Sequence, residues 1–313
     1  MVLGHIIIPF ITQIRVSSDM SGRDWFIERY RAMGSSLTGD ETTPQAIRVN
    51  PMKTSDEELV NTLTDQEVKL EKISYLDHGY RVLESPFSLG ANIEYLLGLY
   101  SLQESASQYP VQALNPSPSD TLLDMASAPG GKTTQASAYM QNKGIIVALD
   151  ISRSRLYATE NNVERCGVTN ISIHHVDALE LPEEPVFTKI LLDAPCSGNY
   201  VTDPYWFKKR NQIDIGHNAG LQKMLLSKAL KLLKPHGVLL YSTCSLEPEE
   251  NELNMQWLLD NHDVNLMPLD GPGSLGFTEF NGSSLDDEIS NCMRFWPDET
   301  GTQGFFVAKV VKI

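Results

Sequence analysis

Cysteine is scarce in this chain: four in 313 residues, none in a CxxC pair. That excludes a small disulfide-stapled secreted scaffold, offers no zinc-ligand spacing, and leaves reduced thiols in a cytoplasmic protein as the expectation. Positive charge is also short, with 25 Lys+Arg against 40 Asp+Glu and a formal net charge of −15. Neither half of the chain is basic, which argues against a broad electrostatic footprint for phosphate. Long apolar runs are missing too. Val2 to Ile11 is broken by Gly4, His5 and Pro9 and has no basic residue before it, so it fits neither a signal peptide nor a spanning helix. Residues 1–19 are expected to be a poorly defined leader. There are no internal repeats, no low-complexity segments, no GxxxxGK[ST] P-loop and no GxGxxG fingerprint.

What is present is 41% hydrophobic residues, enough for a sizeable core, in a length that suits two domains. Residues 20–115 read as a small α+β unit. A helix is predicted over Asp24–Met33, a strand over Ala46–Asn50, and a helix opened by Ser55-Asp56-Glu57-Glu58 ahead of Leu59, Val60 and Leu63. A hairpin follows, Lys69–Tyr75 and Tyr80–Leu83 about His78-Gly79. Prolines at 110, 116 and 118 are expected to end this unit.

From residue 116 onward strands and helices alternate, which predicts a doubly wound α/β domain. Strands are expected at Thr121–Met125, Ile145–Asp150, Ile171–His175, Lys189–Asp193 and Val238–Ser242. Helices are expected at Gly131–Met140, Ser152–Cys166, Ala219–Leu233 and Glu249–Leu259, with a closing strand pair at Met293–Trp296 and Phe305–Val311. The loop Ala126-Ser127-Ala128-Pro129-Gly130-Gly131-Lys132 leaves the first strand and opens the first helix. Its small residues allow close backbone approach and the helix start offers free N–H groups, yet it lacks a phosphate cradle. Asp150, Asp177 and Asp193 follow successive strands, and such carboxylates converge on the ligand crevice of these folds, with Asp150 placed for ribose hydroxyls. A single Asp after a strand is commonly a cap; three above a glycine loop suggest S-adenosylmethionine.

Two cysteines lie just past strands, in Ala194-Pro195-Cys196-Ser197-Gly198 and Ser242-Thr243-Cys244-Ser245. Cys166 and Cys292 read as small buried hydrophobes. A thiolate beside a methyl donor has an economical use: adding to carbon-6 of cytosine makes carbon-5 nucleophilic. After methyl transfer the carbon-5 proton must leave, which a second Cys could assist. The residues alone do not choose which thiol attacks.

These motifs, with Ser88-Leu89-Gly90, Gln103-Glu104-Ser105-Ala106-Ser107, Pro248-Glu249-Glu250-Asn251-Glu252, Arg294, Pro297 and Gly304-Phe305-Phe306, resemble the RNA cytosine-5 methyltransferase family of the Sun/Fmu type, in particular its archaeal tRNA-modifying branch. The resemblance runs from about Trp25 to the end. It implies a Rossmann-like S-adenosylmethionine-dependent methyltransferase domain behind an RNA-recognition-like unit, acting on RNA, with tRNA favoured over rRNA. It also implies Cys244 as nucleophile, Cys196 in product release, Asp193 at the polar edge of the base and Lys132 beside it. Cofactor contacts map onto Ala126, Ser127, Ala128, Pro129, Gly130, Gly131, Lys132, Asp150, Arg155, Asp177 and Asp193. No metal and no membrane are implied, and a monomer is expected. The chain departs from the family at Asn199-Tyr200-Val201-Thr202, where a small residue and glycine are usual, and at His236. A non-catalytic RNA-binding or assembly factor is the alternative, against which two thiols beside a cofactor loop speak. RNA contact is expected to be salt-sensitive and confined to a basic rim, Lys208-Lys209-Arg210 with Lys223, Lys228, Lys231 and Lys234, although these helix lysines read equally well as a solvated face opposite Leu221, Leu225, Leu232 and Leu233.

Overall fold

A computed structural model describes residues 21–313; the expected leader, residues 1–19, lies outside the described residues. The chain begins with α1 (Arg23–Ala32), then β1 (Ala46–Val49), α2 (Asp56–Asp65), β2 (Lys69–Lys72), β3 (Gly79–Glu84) and β4 (Tyr100–Leu102). Ser55 caps α2, its hydroxyl accepting from the Glu58 N–H at 3.1 Å, and three acids fill the first turn. Leu59 and Leu63 on one face of α2 bury against Ile47, Val49 and Tyr100 of the antiparallel sheet β2-β3-β1-β4 and against Val68 just before it.

The larger sheet is built by β5 (Thr121–Asp124), β6 (Ile145–Asp150), β7 (Ile171–His175), β8 (Phe187–Asp193) and β9 (Leu233–Thr243), which run parallel. Their spatial order is β9-β8-β5-β6-β7. The antiparallel strand Phe305–Lys312 continues it beside β9 and carries Met293–Phe295 on its far side, as the closing pair predicts. Both faces are covered, so strand residues of both parities are apolar. Leu123, Ile190, Leu192, Leu239 and Tyr241 face Leu225, Leu226 and Ala229 of α6 (Gln212–Leu232) and Met255 of α7 (Glu252–Asn261). Leu122, Leu191 and Leu240 face the opposite layer, formed by α3 (Ser105–Leu114) and α4 (Gly131–Tyr139). Another long helix, α5 (Arg153–Cys166), is capped by Ser152 and ended by Gly167.

Several expectations are corrected. Pro110 does not end an element but lies inside α3; the forgone N–H bond is outweighed by burial of Tyr109, Val111 and Leu114 on the large sheet. Helix α6 starts seven residues before Ala219, because Asn211 accepts from the N–H groups of Ile213 and Asp214 and opens a polar first turn that hides the period. Helix α7 starts at Glu252 rather than Glu249, since residues 248–251 form a buried turn. The aromatic face of α1 packs against Tyr200, Trp206 and Trp296 beside the large sheet, not on the small one.

The small sheet's flanking segments pack closely on the end of α5. Gly98, at φ 74°, approaches the Arg165 carbonyl so nearly that a Cβ there would lie 2.0 Å from it. Asn50 donates to the carbonyls of Gly98 (2.9 Å) and Cys166 (3.0 Å). Among the described residues no helix is long and apolar enough to cross a membrane.

Candidate active site

The sheet order reverses between β5 and β8, the position where doubly wound folds open a crevice at the carboxyl edge. A cavity of about 240 Å³ occupies it, lined by Asp124, Ala126, Ser127, Ala128, Pro129, Gly131, Lys132 and Asp193, and closed from the other side by Leu102, Gln103, Glu104, Ser107 and Gln303. The loop after β5 takes its shape from local bonds. Gly130 sits at φ 96° as the residue before α4, and a Cβ there would meet Thr159 at 3.1 Å. Asp150 is buried and accepts from the N–H of Ala128 (3.2 Å) and of Ser152 (2.8 Å). Arg155 donates to the Ala128 carbonyl and lies 3.7 Å from Asp150. Asp150, Arg155 and Gly130 thus brace the loop from behind. Asp177 is not among the cavity residues; its carboxylate accepts from the Leu179 N–H at 2.9 Å and caps a short 3-10 turn.

Asp193 and Lys132 meet at 2.7 Å, the carboxylate also accepting from the Ser242 hydroxyl (2.7 Å) and the ammonium donating to Ser107 (2.9 Å). Asp124 stands next to them at the end of β5. Burial pushes its carboxyl up to about 7, opposed by the Thr133 hydroxyl and reinforced by the negative charge of Asp193. Asp124 Oδ1 and the Ser127 hydroxyl are buried without a partner. Orphaned acceptors of this kind beside a cavity suit a ligand bearing N–H donors or positive charge, such as the ammonium and sulfonium of S-adenosylmethionine.

The two thiols follow β8 and β9. Those strands pair Asp193 with Ser242 in parallel register, so the loops leaving them lie side by side. Cys196 Sγ and Cys244 Sγ are 3.3 Å apart, within reach of an S–H···S bond, and both side chains are half-buried. The bond to Cys244 pushes the Cys196 thiol well above its usual range, helped by loss of water and by the negative charges of Cys244 and Glu250.

A family profile described as "16S rRNA methyltransferase RsmB/F" matches residues 111–311, and one described as the N-terminal domain of 16S rRNA methyltransferase RsmF matches residues 23–105. The chain belongs to the RsmB/F family of RNA cytosine-5 methyltransferases. It is 38% identical to a mouse 28S rRNA (cytosine-C(5))-methyltransferase over 86% of this chain and 35% of that protein. It is 36% identical to the tRNA (cytosine(49)-C(5))-methyltransferase of Pyrococcus abyssi over 85% of this chain and 88% of that one. The chain thus spans about a third of the mouse relative and most of the archaeal one. The crystal structure of NSun6 from Pyrococcus horikoshii with SFG superposes with a TM-score of 0.80 at 26% identity, covering 94% of this chain and 98% of that one.

Against the RsmB/F expectation, some site residues went unread in the sequence. Asp124 was legible only as the end of a strand, and Gln103, Glu104 and Ser107 only as part of a family motif. The closing of the cavity by β4, the start of α3 and Gln303 depends on contacts across 200 residues, such as the Gln303 N–H donating to Glu104 at 3.1 Å. The expected basic rim is also thinner than its sequence. Lys228 is buried and donates to the Leu181 carbonyl, Lys231 pairs with Glu183, Lys209 with Asp203, and Arg210 donates to the Ser197 carbonyl. These local partners consume charge that the sequence offered for phosphate. Asn199, where the chain departs from its family, is buried and donates to the carbonyls of Cys244 (2.8 Å) and Gly304 (3.0 Å).

The raised pKa of Asp124 carries a stability consequence. A carboxyl held above its unfolded value near 3.8 favours the fold fully below that value and loses the contribution as pH rises through about 7. Asp124→Asn is therefore expected to raise the apo-protein Tm at pH 8, with the gap closing below about pH 4. A Tm difference independent of pH would show that Asp124 is ionised at little cost.

Proposed function

We propose that this chain methylates carbon-5 of a cytosine in RNA, using S-adenosylmethionine, through a covalent bond between Cys244 and carbon-6. The observation carrying this reading is the pair of thiols 3.3 Å apart, leaving the adjacent strands β8 and β9, the first of which ends in Asp193 at the glycine-loop cavity. S-adenosylmethionine, of which SFG is an analogue, would supply an electrophilic methyl group. Ala126 through Pro129, Gly131, Lys132, Asp124 and Asp193 line the space for it, and Gly130, Asp150 and Arg155 hold the loop in shape. Asp177, further along the sheet edge, is proposed to join them at the far end of the bound cofactor.

Cys244 adds to carbon-6, carbon-5 takes the methyl group, and loss of the carbon-5 proton lets the Cys244 bond break. Cys196 assists that last step. Asp193, fixed by Lys132 and Ser242, is placed to accept from or protonate the polar edge of the base. A paired base has to leave its stack to reach these groups, so a loop or a flipped nucleotide is the expected target.

For the RNA class, tRNA is the first reading. The chain matches an archaeal tRNA enzyme over 88% of that enzyme's length. rRNA is the second, supported by the slightly higher identity to the 28S enzyme. Bisulfite sequencing of total RNA from a deletion strain tests both: cytosines that lose protection name the substrate, and an unchanged profile would sink the proposal. For the cofactor, Asp150→Ala is expected to weaken S-adenosylmethionine binding by about tenfold or more in calorimetry, through lost ribose contact and a loosened loop. Unchanged affinity would remove Asp150 from the site.

A further inference from the structure

Between the two thiol loops lies a buried polar bridge that the proposed chemistry does not use. Glu250 is fully buried, and its carboxylate accepts from the Ser197 N–H (3.0 and 3.2 Å) and the Ser197 hydroxyl (2.9 Å). The Ser197 hydroxyl in turn lies 3.0 Å from that of Ser245. Ser197 and Ser245 are the residues that directly follow Cys196 and Cys244, and both are buried. Glu250 is held from behind, since the Tyr241 hydroxyl donates to its carbonyl.

We propose that Glu250 is a positioning residue that decides which thiol attacks: through Ser197 and Ser245 it locks the two loops in register and assigns Cys196 the assisting place beside Cys244. The inference rests on the reading of Cys244 as nucleophile. Its physical content is twofold. A carboxylate that takes the N–H immediately after Cys196 removes the local dipole that would otherwise stabilise a thiolate there. Its own negative charge then adds to that of Cys244 in keeping the Cys196 proton on sulfur. Burial pushes the Glu250 carboxyl itself up to about 7, opposed by bonds from Ser245, Ser197 and Asn218. The other titratable groups around it are Glu247 and Tyr241, with Asp193 and Lys132 on the far side of the thiols. Arg210 approaches from the other side and donates to the Ser197 carbonyl at 3.0 Å, and no Lys or Arg forms an ion pair with the Glu250 carboxylate itself among the described residues.

The test is site-resolved alkylation of the RNA-free protein with iodoacetamide, read by mass spectrometry. In the wild type Cys244 is expected to react at least about tenfold faster than Cys196 at a pH above about 8, where Glu250 is ionised, one unit of thiol acidity. Glu250→Gln, which keeps the shape and removes the charge, is expected to raise Cys196 reactivity about tenfold, whereas Glu250→Asp should restore the wild-type ranking. Equal thiol reactivity in the wild type, or a Cys196 rate untouched by Glu250→Gln in a protein with unchanged circular dichroism, would overturn the assignment. Because the wild-type comparison needs no variant, failure of Glu250→Gln to fold leaves the idea exposed to refutation. Failure of the methylation reading would appear separately, as absence of 5-methylcytosine product with the thiol ranking intact.

Discussion

Cys244→Ala is expected to abolish 5-methylcytosine formation, a loss of at least about 10³-fold of the kind seen when a covalent nucleophile is removed. Cys196→Ala should behave differently: methyl transfer proceeds, but release slows and a covalent RNA adduct accumulates as a shifted band on a denaturing gel. The contrast follows from geometry. The thiols are 3.3 Å apart and share one proton-bonding contact, so either could approach a base seated above Asp193; the bond to Cys244 pushes the Cys196 thiol up. An adduct on Cys244→Ala and none on Cys196→Ala would reverse the two roles. Normal turnover by Cys196→Ala with no adduct would leave that residue without one.

The second large effect concerns stability. Arg294 and Glu252 are both fully buried and pair in a bidentate bond, and Arg294 also donates to the Leu246 carbonyl at 2.9 Å. The guanidinium lies against Phe277, Trp296 and Phe306. Arg294→Met would strand the Glu252 carboxylate in the core, which costs about 3–5 kcal/mol when one partner of a buried pair is removed. A Tm fall on the order of 10 °C follows for a chain of this size. Adding Glu252→Met should recover much of the loss, since the cost comes from the stranded charge rather than from the missing attraction. A loss below about 1 kcal/mol in urea unfolding would contradict that account. Leu246 is two residues past Cys244, so the same bond steadies the Cys244 loop, and the single variant is expected to lose activity before it unfolds.

The two predictions separate what was readable in the sequence from what was not. Cys244 and Cys196 stood out because Pro, Gly, Ser and Thr around them mark loop ends of strands. Arg294 and Glu250 had no such signal. Each was only a letter in a motif, because a buried charge is recognisable by its surroundings, and those come from β9, α7 and the strand at 293–295 together. Asp124 is similar: its place at the point where strand order reverses is a property of the sheet, not of its neighbours in the chain. The lysines of α6 illustrate the opposite error. Their count suggested a basic rim, but Leu181 and Glu183, about fifty residues earlier, take up Lys228 and Lys231.

By itself, then, the amino-acid order determined the alternation of strand and helix from residue 121, the glycine loop at 126–132, and the presence of two loop thiols. Those features are local, set by side-chain period, turn chemistry and small residues within a few positions. The tertiary structure alone decided the meeting of Asp193 with Lys132 and the 3.3 Å approach of the thiols. It also decided the burial of Asp124 and the bridge through Glu250. Such contacts join residues far apart in sequence, and their energies depend on how completely water is excluded once the sheets have packed.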